Sequence, residues 1–134
     1  MSPTSTSILL LTPDLMISSR IAGLAATIPA TVETLSPASR APSGGPFDAI
    51  LVDLQVPAKT ATMLVEAAKG IVARQIEAGG HAARVIAFGP HVAVDRLAEA
   101  AAAGADLVVS RGELLSGLPR LLARGTVGDS PTPG

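Results

Sequence analysis

The sequence predicts an open α/β domain, a five-stranded parallel sheet with helices on both faces. Three observations carry that expectation. Short apolar, β-branched runs alternate with segments of helical spacing along the whole chain. The first of these runs is continuous rather than alternating, as in a strand buried on both faces. Gly and Pro punctuate the segments, where strands and helices have to stop. At 134 residues the chain fits one domain with a real core.

Each element has its own signal. Residues 1–6 are expected to form a flexible N-terminus. Ser7–Thr12 (SILLLT) reads as the first strand, stopped by Pro13. Asp14 suits a helix N-cap, and Leu15, Ile17, Ile21, Leu24 and Ile28 follow at helical spacing until Pro29. Thr31–Leu35 alternates and is β-branched, an edge-like second strand. Ser36–Pro46 (SPASRAPSGGP) offers little for an amphipathic helix. The second helix is therefore expected to be short or missing, with at most one turn near Pro37–Arg40. Ala49–Leu54 is the third strand. Thr60–Ala78 carries Met63, Leu64, Ala67, Ala68, Ile71, Val72 and Ile76, a long amphipathic pattern closed by Gly79-Gly80. Gly70 inside it weakens an unbroken helix. Arg84–Phe88 is the fourth strand, and Val94–Ala103 an alanine-rich helix ended by Gly104. Asp106–Ser110 is the fifth strand. Glu113–Arg124 is the last helix, and Gly117 and Pro119 predict a bend in it. The domain thus spans 7–124, with 125–134 expected as a disordered tail. Right-handed crossovers and five strands favour the flavodoxin-like order 2-1-3-4-5.

Composition narrows the function. Ten basic and eleven acidic residues are scattered, for a net charge of −1, so no electrostatic footprint for nucleic acid is visible. Phe47 and Phe88 are the only aromatic residues, which argues against base stacking and demands an aliphatic core. The absence of cysteine removes disulfides, thiol catalysis and thiolate metal sites. No apolar run is long enough for a membrane span, so a cytoplasmic protein is expected. There is no GxGxxG, GxxxxGK[ST] or GxSxG, which disfavours nucleotide-binding and hydrolytic enzymes.

The informative stretch is Phe47–Pro57 (FDAILVDLQVP). It sets Asp53 at the C-terminal edge of a buried strand, where open sheets keep their binding crevice. In the expected order the first and third strands are neighbours, so Asp14 and Asp53 meet at that edge. Gly89 and His91 follow the fourth strand and Arg111 the fifth, on the same side. Arg111 is the natural partner of Asp53, directly or through water, because a guanidinium binds a carboxylate in bidentate fashion. Asp14, Asp53 and His91 are weak candidates for a mixed O/N metal site. His81 belongs to the opposite edge and reads as a surface residue.

Three pieces in order give the chain a family likeness: Ala49–Pro57 (AILVDLQVP), Arg84–Asp106 with its terminal Gly104-Ala105-Asp106, and Val108–Gly112 (VVSRG). Together they resemble the receiver domains of bacterial two-component response regulators over roughly residues 7–124. The resemblance implies that Asp53 stands in the phosphoacceptor position. The family's acidic pair, which helps hold Mg²⁺, falls on Thr12-Pro13, with Asp14 one step further on. Its hydroxyl residue after strand four falls on Gly89, and its Lys-Pro pair on Arg111-Gly112. The expected reading is a stand-alone, non-enzymatic signalling and protein-interaction module. It is expected to use no cofactor or metal and to lack Mg²⁺-dependent phosphotransfer. The alternatives are a phosphorylatable single-domain regulator with Asp53 as acceptor and Mg²⁺ held by Asp53 and Asp14, or a crevice for a small ligand. The expected partner is another signalling protein docking on the last two helices, where leucines left exposed on the last helix would make the surface; a homodimer is the other expected assembly. Nucleic acid and membrane are not expected as partners.

Overall fold

A computed structural model describes residues 5–36 and 42–123. In chain order the elements are β1 (Thr6–Leu11), α1 (Leu15–Ala25), β2 (Ala30–Leu35), β3 (Ala49–Asp53), α2 (Ala61–Glu77), β4 (Arg84–Gly89), α3 (Val94–Ala102), β5 (Leu107–Ser110) and α4 (Arg111–Ala123). The strands form one parallel sheet in the order β2-β1-β3-β4-β5, as the sequence predicts. β2 and β5 are the edges, and every residue of the central β3 is buried.

The pleat sends alternate side chains into two cores. Ile8, Leu10, Leu51, Ile86 and Phe88 pack under α1 and α4 against Ile17, Ile21, Leu114 and Leu118. Leu9, Ile50, Val52, Val85 and Ala87 pack under α2 and α3 against Leu64, Val65, Ala68 and Ala100. Both cores are almost wholly aliphatic, and the two phenylalanines are buried, one in each.

Several boundaries differ from the sequence reading, each for a local reason. α1 ends at Ala25, and Ile28 lies in the turn that leads into β2. α2 runs unbroken through Gly70. The glycine's helix penalty of about 1 kcal/mol is small beside the burial of Leu64, Val65, Ala68 and Ile71 on the same helix. The last helix begins at Arg111, not Glu113. Ser110-Arg111-Gly112-Glu113 closes a capping box. The Glu113 amide donates to Ser110 Oγ at 3.1 Å, and the Ser110 amide donates to Glu113 Oε1 at 2.9 Å. Those bonds hold the Glu113 carboxyl below its ordinary range. Ser110→Ala is expected to cost about 1 kcal/mol, read as a lower urea midpoint with an unchanged slope. The predicted bend is present: Gly117 leaves the helical region at φ −128°, ψ 21°, two residues before Pro119. The last helix buries Leu114, Leu118 and Leu121, while Leu115 and Leu122 pack half-buried against the same core.

Between β2 and β3 no helix occurs among the described residues; the turn expected near residues 37–40 lies outside them, as do residues 1–4 and the tail from 124. The stretch leading into β3 is pinned instead by side chains. The Glu33 carboxylate accepts from the Ser43 amide and hydroxyl and from the Gly44 amide. Gln75 on α2 uses both amide atoms on the Phe47 backbone. Among the described residues no helix is long and apolar enough to cross a membrane.

Candidate functional site

Asp53 ends β3 and is 1% exposed; Thr12, just beyond β1, is 3% exposed. The register pairs Leu11 with Val52, so the next residues along each strand are Thr12 and Asp53. A buried carboxylate needs donors, and both of its oxygens have one. The Thr12 hydroxyl donates to Asp53 Oδ2 at 2.6 Å, and the Gln55 amide donates to Oδ1 at 2.9 Å. Thr12 Oγ1 in turn accepts from the Asp14 amide at 3.0 Å. A short chain of hydrogen bonds therefore ties the end of β1 to the end of β3.

The other expected site residues are placed as follows. Asp14 caps α1, its Oδ1 accepting from the Met16 and Ile17 amides at 2.9 and 3.4 Å. Its carboxylate serves the helix, and what reaches Asp53 from this loop is the neighbouring hydroxyl. Gly89 is the buried last residue of β4, facing Leu54 and Leu97. His91 is exposed in the turn after β4. Arg111 opens α4 with its Nε buried and without a hydrogen-bond partner. No direct Asp53–Arg111 ion pair forms; the ion pair among the described residues is His81–Asp48, at 2.8 Å and at the opposite edge of the sheet. His81, expected only at the surface, thus braces the start of β3.

Magnesium takes hard oxygen ligands in near-octahedral geometry, usually one or two carboxylates plus waters. At this edge the described residues offer Asp53, with the Thr12 hydroxyl on its Oδ2, while the Asp14 carboxylate is turned to its helix. Among the described residues no three His, Asp or Glu groups gather closely enough to hold a metal ion.

Two residues the sequence reading missed, Arg96 and Glu99 of α3, fasten the loop that follows Asp53. Arg96 Nε donates to the Leu54 carbonyl at 2.9 Å, and Nη2 donates to that same carbonyl and to the Lys59 carbonyl at 3.0 Å. Glu99 accepts from the Thr62 amide and hydroxyl at 2.9 and 2.8 Å, at the start of α2. These bonds, with help from Arg96, hold the Glu99 carboxyl below its ordinary range. A depressed carboxyl contributes stability above its unfolded pKa and loses it as pH falls through the folded value. Acidification below the ordinary glutamate range therefore loosens this latch. The i, i+3 spacing of Arg96 and Glu99 on one helix face was the available signal. Within the same loop Ala58 adopts φ +68°, where a Cβ is strained. Ala58→Gly is expected to stabilise the fold by about 0.5–1 kcal/mol, the strain relieved less the added unfolded-state entropy, read as a raised thermal midpoint.

No family model matches the sequence, and no curated protein matches it. Solved structures do. The receiver domain of the sensor histidine kinase PA1611 from Pseudomonas aeruginosa, which has magnesium in its active-site cleft, superposes with a TM-score of 0.65. The two are 16% identical, with 90% of this chain and 97% of that chain covered. The Vibrio cholerae chemotaxis regulator CheY4 gives 0.65 at 18% identity, covering 92% and 100%. A chain of the Saccharomyces cerevisiae co-crystal of the phosphotransfer protein Ypd1 with the receiver domain of Ssk1 gives 0.66 at 13%, covering 93% and 94%. The fold is that of response-regulator receiver domains.

Proposed function

We propose that this protein is a receiver-like signalling module that works by binding another protein, without enzymatic activity, cofactor or Mg²⁺-dependent phosphotransfer. The observation that carries the reading is the Thr12–Asp53 hydrogen bond. An incoming phosphoryl group brings charge that a nearby cation must offset, and carboxylates would hold that cation. Beside Asp53 the end of β1 supplies the Thr12 hydroxyl in place of a second carboxylate. Gly89 offers no hydroxyl to register a phosphoryl group.

The surface supports a binding role. Leu15, Met16, Met63, Val92 and Val94 are each at least half exposed. All five follow strand ends on the C-terminal side of the sheet, at the starts of α1, α2 and α3. Their shared edge makes that end of the sheet the surface to test for partner binding. Val92 and Val94 bring the first of the two expected partner helices into it, whereas the last helix turns its leucines inward. The co-crystallised neighbour binds a histidine phosphotransfer protein, so a partner of that class is the first to test.

The test is incubation with acetyl phosphate and Mg²⁺ followed by intact mass. The wild type is expected to gain no phosphoryl group, whereas Thr12→Asp, which adds a carboxylate beside Asp53, is expected to acquire a Mg²⁺-dependent thermal shift. Labelling of the wild type that disappears in Asp53→Asn overturns the proposal in favour of a phosphorylatable regulator.

A further inference from the structure

One peptide group stands between Asp53 and a cation. The Gln55 amide donates to Asp53 Oδ1 at 2.9 Å. The carbonyl of that same peptide unit belongs to Leu54, and it accepts from Arg96 Nε at 2.9 Å and from Arg96 Nη2. This peptide is trans, so it is planar and points its N–H and its C=O in opposite directions. The buried carboxylate and the guanidinium therefore hold one rigid plate from its two sides. A peptide whose N–H is bonded to an anion has a more negative carbonyl oxygen, so each bond strengthens the other. Charge at Asp53 is thus felt at Arg96 without an ion pair between them.

The loop around that peptide gives the contact a mechanical consequence. Arg96 Nη2 also donates to the Lys59 carbonyl at 3.0 Å, so the guanidinium brackets Ala58, which stands at φ +68°. Such strain persists only where surrounding bonds over-determine it. One turn further along α3, Glu99 holds the Thr62 amide and hydroxyl. Val92 and Val94 shortly precede Arg96 in the chain, and Met63 directly follows Thr62. The Arg96 and Glu99 side chains therefore join the loop after Asp53 to the two stretches of chain that carry three of the exposed apolar residues of that edge.

We propose that the Leu54–Gln55 peptide is a relay. It makes Arg96 the positioning residue through which Asp53 sets the seat of α3, and with it the edge that carries Val92 and Val94. Loss of negative charge at Asp53 weakens the pull on the Leu54 carbonyl, loosens the guanidinium and lets Ala58 leave its strained position. α3 then moves relative to α2. A partner seated on Val92 and Val94 acts on the same plate from the other end, because coupling between two sites is reciprocal. The inference rests on the proposed function for what this edge binds, and adds what inside the fold controls it.

The test uses the full chain labelled with ¹⁵N, compared with Asp53→Asn, which keeps an acceptor and removes the charge. The Arg96 side-chain Nε resonance is expected to shift more than that of any other arginine, and the amides of residues 54–60 and 94–99 to shift with it. In the Arg96→Met background, Asp53→Asn is expected to move the loop amides and leave 94–99 in place. Thermal unfolding confirms that the variants are folded. The Nε readout needs only the single variant Asp53→Asn, so the test stands even where the double variant does not fold. An Arg96 Nε resonance that does not respond, a larger response at Arg111, or shifts in 94–99 that survive Arg96→Met overturns the proposal. Every readout is internal to the free protein. A partner that docks elsewhere removes the binding reading alone, and an unresponsive Arg96 removes the relay alone.

Discussion

Thr12→Val is expected to destabilise the protein by about 2–3 kcal/mol, the cost of leaving a buried charged acceptor short of a donor. Valine keeps the shape of threonine and replaces the hydroxyl by a methyl, so Asp53 Oδ2, in a site 1% exposed, loses its donor and the Asp14 amide loses its acceptor. The measurement is urea unfolding followed by far-ultraviolet circular dichroism. Its control is the double variant Thr12→Val with Asp53→Val, in which both partners become apolar. That variant is expected to recover part of the loss, because removing both sides of a buried polar contact costs less than removing one. A Thr12→Val midpoint equal to wild type would remove the hydroxyl as the residue that satisfies Asp53.

Arg96→Met carries the second large effect. The substitution retains much of the apolar stem and deletes a guanidinium that holds two carbonyls of the loop after β3. Bonds from a charged donor contribute about 1.5–3 kcal/mol, and a loss in that range is expected. Amide exchange should rise in the Gln55–Thr60 loop first, since the Leu54 and Lys59 carbonyls lose their shared anchor. Unchanged exchange there would show that the loop holds its shape without α3.

The fold was legible because each strand carried its own burial signature. SILLLT and AILVDL are continuously apolar, as central strands are, while the Pro/Ser/Gly run after Leu35 offers little for an amphipathic helix between β2 and β3. Asp14 announced itself as a cap by standing directly before the helical spacing. The site was only half legible. Asp53 could be placed, but its partner could not be chosen by charge. Charge alone points to Arg111, whereas strand register delivers whatever follows Leu11, and that is a hydroxyl. Carrying the register one residue past the strand ends would have found Thr12. Ser110 and Glu113 carried a capping-box signature that fixes the helix start two residues early. Arg96 and Glu99 were harder: their targets are backbone atoms of a loop, which leave no mark in a sequence.

The place of β2 at the edge of the sheet has a consequence for how the molecule breathes. Amides of β3 and β4, each flanked by two strands, should exchange with solvent only through global unfolding, while those of β2, flanked by one, escape through cheaper local excursions. β2 can therefore loosen while β1 stays paired with β3, and Thr12 keeps its place beside Asp53.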